Sequence, residues 1–226
     1  VFNLKNQNYI AQNINIDFKK DLYCYSIGSK AHEILLSKGY KSELLEVEEN
    51  NNEFNTFRKG NWHHVTKKKF DIIYENLLNN KFVCFTDGDI VYLNKNFLDF
   101  CKNNIKDNDI LIQNDTLNDN SYSNLCSGFM FIKSNKLTLD IFNPKNVQKH
   151  VTEGWDDQVY INSIKKYAKF KTLPLKLFPN GKCFYNYKDN LDPFMIHFNW
   201  VVGHTKKKKM EEHNYWYSDN VMTLSE

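Results

Sequence analysis

A chain of 226 residues is long enough for one α/β domain with a full core. Its 41% hydrophobic and 15% aromatic content reads as globular, yet no stretch approaches the roughly 20 apolar residues of a membrane span. Thirty basic against 27 acidic residues leave +3, too small a charge to argue for a nucleic-acid partner.

The chain opens at Val1 with no signal-peptide pattern, and residues 1–226 read as one domain trimmed from a longer chain, without internal repeat or linker. A first strand is expected within residues 2–16 and a second over 22–27. Ser29 is placed to cap a helix over residues 30–38, with Gly39 as its stop. Residues 46–60 are polar and acidic and read as a loop. A helix over 65–79 follows, with Phe70, Ile73, Tyr74, Leu77 and Leu78 as its buried face.

Residues 82–86 form a short apolar run without polar alternation, the pattern of a strand covered on both faces, and are expected to be a central strand. Further strands are expected over 110–113 and 129–132, with turn-rich residues 119–124 between them. A helix is expected from after Trp155 to about residue 167, then strands over 173–178 and 195–198. Strands alternating with helices predict an α/β fold with a mainly parallel sheet. Five scattered cysteines with no C-x-x-C pair fit free thiols in a reducing, cytoplasmic setting. The Golgi or ER lumen stays open if an N-terminal anchor was removed.

Four segments carry the chemistry. Asp87-Gly88-Asp89 ends the apolar strand. In open α/β sheets the ligand crevice lies at the carboxyl ends of strands. Two acids there, with Gly88 allowing close backbone approach, suit a hard divalent cation carrying phosphate oxygens; the plain alternative is a surface Asp-Gly turn. Met195-Ile196-His197-Phe198-Asn199 brings a histidine out of a short strand, either a metal ligand or a packed imidazole. Gly203 and Lys206 follow it and suit a flexible loop whose lysine meets a diphosphate, although the run Lys206 to Lys209 also reads as a solvated face. Asp156, Asp157 and Gln158 open the helix after Trp155 and include Asn162 one turn on. Either acid can cap the helix, or the group can form a sugar-binding edge with the tryptophan. Ser127-Gly128 before the strand 129–132 either lets a ligand approach the backbone or makes a simple turn.

In this order the four segments resemble nucleotide-sugar glycosyltransferases of the GT-A fold, nearest to glycosyltransferase family 77, with the logic of the glycogenin-like family 8. The resemblance runs from Leu4, Asn6 and Tyr9, similar to the strand and loop that hold the nucleotide base. It continues through Lys69, the Asp87-Gly88-Asp89 motif, Ser127-Gly128-Phe129 and Asp157-Gln158 with Asn162, and ends on His197, Gly203 and Lys206. One departure is Cys126, where the family usually has Asn near the donor sugar.

The resemblance implies Mn²⁺ or Mg²⁺ held by Asp87, Asp89 and His197, and a nucleotide-sugar donor, with UDP as its nucleotide. The acceptor is a glycan, protein or small molecule entering near Asp156, Asp157 and Gln158, and the reaction proceeds with retention. A rival is a haloacid-dehalogenase-type phosphatase, but that chemistry wants a threonine where Val91 stands and the motif near the N-terminus. A non-enzymatic sugar-binding or basic interaction module leaves Asp87, Asp89 and His197 without a purpose.

Overall fold

A computed structural model of the protein describes residues 2–3, 22–27, 29–37, 39–45, 62–150 and 156–216. The N-terminal part is a parallel unit: β1 (Phe2–Asn3), β2 (Tyr23–Ile27), α1 (Ser29–Ser37) and β3 (Lys41–Leu45), with strand order β1-β2-β3. Gly39 ends α1 in the left-handed region at φ +78°. The Gly39 N–H donates to Leu36 O and the Tyr40 N–H to Leu35 O, the two bonds that close a helix on a glycine. The expected loop over 46–60 lies outside the described residues.

α2 (Trp62–Asn79) is longer than the apolar pattern implied. Phe70, Ile73 and Leu77 are buried and Tyr74 packs beside them, but Leu78 is 56% exposed. At 3.6 residues per turn Leu78 lies about 80° round the helix from Phe70, outside the apolar stripe.

β4 (Phe82–Thr86) then enters the main sheet and the chain turns through Asp87–Asp89 into β5 (Ile90–Tyr92). After α3 (Phe97–Ile105) come β6 (Ile110–Asn114) and β7 (Leu125–Lys133). α4 (Lys136–Phe142), α5 (Pro144–Val147) and α6 (Asp157–Ile164) lead to β8 (Phe170–Leu173). α7 (Gly181–Tyr187), β9 (Met195–His197) and α8 (Gly203–Glu212) complete the fold.

The main sheet has the order β4-β7-β6-β8, and β5 pairs separately with β9. The expected parallel arrangement holds for β1-β2-β3 and for β6-β8, whereas β7 runs antiparallel to both β4 and β6. Because β7 is inserted there, β4 pairs only with β7 among the described residues and stands at the end of this order, not at its middle. The expected strand over 173–178 is displaced to 170–173: Pro174 has no N–H to continue it, and its carbonyl accepts from Leu177 and Phe178 in a turn. The expected loop around Gly203 and Lys206 is the helix α8, whose lysines pair with Glu211 and Glu212.

Alternate residues of the main sheet feed two cores. Ile110, Ile112, Met130, Ile132 and Phe85 pack with Phe70, Ile73 and Leu77 of α2. Leu111, Phe129, Phe131, Phe82 and Cys84 pack with Phe97, Phe178 and Met195 on the other face. Both faces are covered, as the uninterrupted apolar run required. Among the described residues no helix is long and apolar enough to cross a membrane.

Candidate active site

The site lies where β4 ends, and two departures from regular pairing build it. The first is a bulge in β7: Ile112 faces Met130 but Gln113 faces Cys126, so Ser127, Gly128 and Phe129 are extra residues on the β7 side. Bulges of this kind re-aim side chains beside active sites. Here the bulge turns Gly128 toward the turn after β4, and the Asp87 N–H donates to Gly128 O at 2.7 Å. A Cβ on Gly128 would fall inside contact distance of His197 Cε1 and 2.9 Å from Asp87 Oδ2, so this position has room for glycine alone.

The second is the β5–β9 ribbon. Ile90 pairs with His197, and the Phe198 N–H donates to Asp89 O at 3.0 Å. Two extended strands are what bring a histidine from late in the chain onto the carboxylate of the Asp-Gly-Asp turn. One ligand atom each from Asp87, Asp89 and His197 then lie within 4.8 Å of one another. Two carboxylates and an imidazole are a donor set that suits Mn²⁺ or Mg²⁺, and glycine at position 128 adds no side chain against Asp87 and His197.

Cations surround these acids. Lys206 of α8 contacts Asp89 Oδ2 at 2.5 Å, and His197 Nε2 lies 3.1 Å from Asp89 Oδ1. Burial disfavours charge on Asp89, yet Lys206 and His197 outweigh it and hold its carboxyl well below the usual range. Burial likewise disfavours charge on His197, and the Asp89 carboxylate outweighs it and raises the imidazole.

Lys69 of α2 is 4% exposed. It pairs with Asp157 at the start of α6 and lies 3.1 Å from Asp87 Oδ1. Against the penalty of burial, these two carboxylates raise its ammonium above the ordinary lysine range. Ser127 Oγ also donates to Asp157 Oδ2, at 2.6 Å. Thus Lys69, Asp87, Asp89, Ser127, Gly128, Asp157, His197 and Lys206 form one continuous constellation.

The other expected residues have different places. Gly88 lies in the turn between the two aspartates and Gly203 opens α8, one turn before Lys206. Asp156 is the N-cap of α6, accepting from the Val159 N–H at 2.8 Å. Asn162 braces the start of β7, accepting from the Leu125 N–H and donating to Leu125 O. Leu4, Asn6, Tyr9 and Trp155 lie outside the described residues.

Gln158 donates to a residue the sequence analysis passed over, Asp115. This carboxylate is 8% exposed and takes four N–H donors. Oδ2 accepts from Asn124 and Gln158, and Oδ1 accepts from Asn199 and the Trp200 indole at 2.9 Å. The signal was present, since Asp115 follows the apolar strand β6 as Asp87 follows β4. Trp200 adopts φ +65°, a conformation costing a bulky residue on the order of 1–3 kcal/mol, and it is held there beside the bonds of Asn199 and its own indole to Asp115. Gln113, also passed over, contacts His197 from the end of β6.

The chain has relatives among known proteins. A profile of the family described as nucleotide-diphospho-sugar transferase matches residues 28–211. A protein of Dictyostelium discoideum named UDP-galactose:fucoside alpha-3-galactosyltransferase is 29% identical over 170 residues, 60% of this chain but 25% of its own length. The chain therefore spans a quarter of that relative. A solved glycosyltransferase involved in the glycosylation of the major capsid of PBCV-1 superposes with a TM-score of 0.52 at 12% identity, covering 84% of this chain and 98% of that one. This last likeness concerns the fold, the α/β glycosyltransferase architecture.

Proposed function

Because this chain belongs to the nucleotide-diphospho-sugar transferase family, we propose that it moves a sugar from a UDP-sugar to an acceptor hydroxyl, with retention, using Mn²⁺ or Mg²⁺. The observation that carries the reading is the convergence of Asp87, Asp89 and His197 on one small volume. When bound there, the cation supplies positive charge to the departing diphosphate. Lys206, at 2.5 Å from Asp89, stands where a flexible ammonium can shift from carboxylate to phosphate as the donor arrives. Lys69 holds the part-exposed Asp87 and the buried Asp157 together in fixed positions.

Retention is favoured by the state of Asp157. Its Oδ2 already takes the Lys69 ammonium and the Ser127 hydroxyl. An oxygen so engaged is not free to take the proton of an acceptor hydroxyl, which is what inversion would ask of it. The relative's name joins a UDP-sugar donor to a sugar acceptor, and we assign this chain the same classes: nucleotide sugar as donor, a glycan or glycosylated molecule as acceptor. The phosphatase reading lacks support, since Val91 is buried inside β5 where that chemistry wants a threonine. Five unpaired cysteines, four of them buried, favour a reducing compartment.

The test is a screen of UDP-, GDP- and CMP-sugars for donor hydrolysis and transfer to methyl glycosides, with Mn²⁺ and with EDTA. UDP-sugar turnover that needs the metal and keeps the anomeric configuration by NMR is the expected result. Turnover unaffected by EDTA, or an inverted product, overturns the corresponding part of the reading.

A further inference from the structure

The side chain behind the imidazole of His197 has a determined orientation. Gln113 is fully buried at 0% exposure. Its Nε2 donates to Phe178 O at 3.2 Å and to Pro179 O at 3.0 Å. Carbonyl oxygens accept and never donate, so the nitrogen end of this amide cannot be exchanged with the oxygen end. A flipped amide would set its oxygen against two carbonyls in a dry interior. Gln113 Oε1 therefore faces His197 Nδ1, 2.7 Å away, and Nδ1 must carry the hydrogen and donate. The other neighbour of Nδ1, Cys126 Sγ, lies at 3.7 Å and is a weak partner. That leaves Nε2 as the ring atom turned to Asp89 Oδ1 at 3.1 Å. The same Pro179 carbonyl also accepts the His197 N–H, which joins the backbone and ring of His197 to one brace.

We propose that Gln113 is a positioning residue: its amide fixes the rotation and tautomer of His197 so that Nε2 is presented to a divalent cation shared with Asp87 and Asp89. The inference rests on the metal site of the proposed function. Partners behind a histidine ligand set ring orientation and basicity, and losing one weakens metal binding by about 10- to 100-fold.

The test is Mn²⁺ binding to the protein with UDP present, measured by titration and by the ¹⁴N modulation that a coordinated imidazole imposes on the Mn²⁺ electron-spin echo. Wild type is expected to show this modulation. Gln113→Met fills the same volume without an acceptor, and should bind Mn²⁺ about 10-fold or more weakly with the modulation diminished. Gln113→Glu, as a carboxylic acid, can donate its O–H to a carbonyl and accept from Nδ1, and should restore both readouts. Unchanged affinity and modulation in Gln113→Met overturn the inference while leaving His197 as a ligand. Absence of imidazole modulation in wild type overturns the ligand role of His197 and the inference with it. Should Gln113→Met fail to fold, Gln113→Ala, which leaves room for water at both carbonyls, decides by the same readouts. If neither folds, Gln113 serves packing and the inference is wrong.

Discussion

Gly128 and His197 occupy the same small space, and each depends on the other's shape. The glycine lets the imidazole approach β7 closely, and the carbonyl of Gly128 holds the backbone of Asp87. We expect Gly128→Ala to disturb the candidate metal site more than the fold. The new methyl would press on His197 Cε1 and Asp87 Oδ2, both ends of side chains, and not on backbone. Mn²⁺-dependent UDP binding by calorimetry should weaken by about 10-fold or more, as when a group that positions metal ligands is altered, while the far-ultraviolet dichroism spectrum keeps its shape. Wild-type affinity in this variant would show that the site tolerates the displacement and that the close packing has no bearing on metal binding. Asp115 teaches a related lesson at this scale: a buried carboxylate taking four N–H donors organises Asn124, Gln158, Asn199 and Trp200.

At the scale of elements, α7 and α8 flank the segment that follows His197. The Gly181 N–H of α7 donates to Asn199 Oδ1 at 2.7 Å and Tyr185 OH donates to Asn199 O at 3.2 Å. Behind them Phe184, Tyr185, Phe198 and Tyr215 form an aromatic cluster that takes in His213 at the end of α8. Burial, then Lys188 and Lys209, push His213 below its ordinary pKa. A histidine with a depressed folded value favours the neutral form. Its contribution to stability is present above the unfolded value of about 6.5 and is lost as pH falls through the folded value. We expect the melting temperature to fall between about pH 7 and 5 in wild type and to fall less in His213→Gln, compared by scanning calorimetry at matched ionic strength. Equal slopes for the two proteins would remove His213 from the account.

Over the whole molecule, the site is a junction: Asp87 follows β4, Asp89 precedes β5, His197 ends β9, Lys206 comes from α8, and Lys69 and Asp157 come from α2 and α6. A cation with UDP should therefore tie together elements that are distant in sequence. Ligand at about 100 times its dissociation constant adds about 2.7 kcal/mol to the native state. We expect Mn²⁺ plus UDP to raise the melting temperature and EDTA to reverse the rise; a melting temperature indifferent to both would contradict the metal site. Much of this junction was legible in the chain itself. The apolar run ending in Asp87 and Asp89, the apolar stripe of α2, the glycine after α1 and the histidine leaving a short strand are local patterns, fixed by periodicity and by which residues tolerate which backbone. What escaped was non-local. The antiparallel insertion of β7, the β5–β9 ribbon that carries His197 to Asp89, and the bulge that turns Gly128 toward Asp87 depend on pairing between segments far apart, which no local period encodes. Gln113 and Asp115 escaped for the same reason, because their roles come from partners supplied by other strands. The residue types and their order were determined by the sequence alone; which nitrogen of His197 faces the carboxylates, and which acid meets which lysine, was decided only when tertiary packing closed the distances between them.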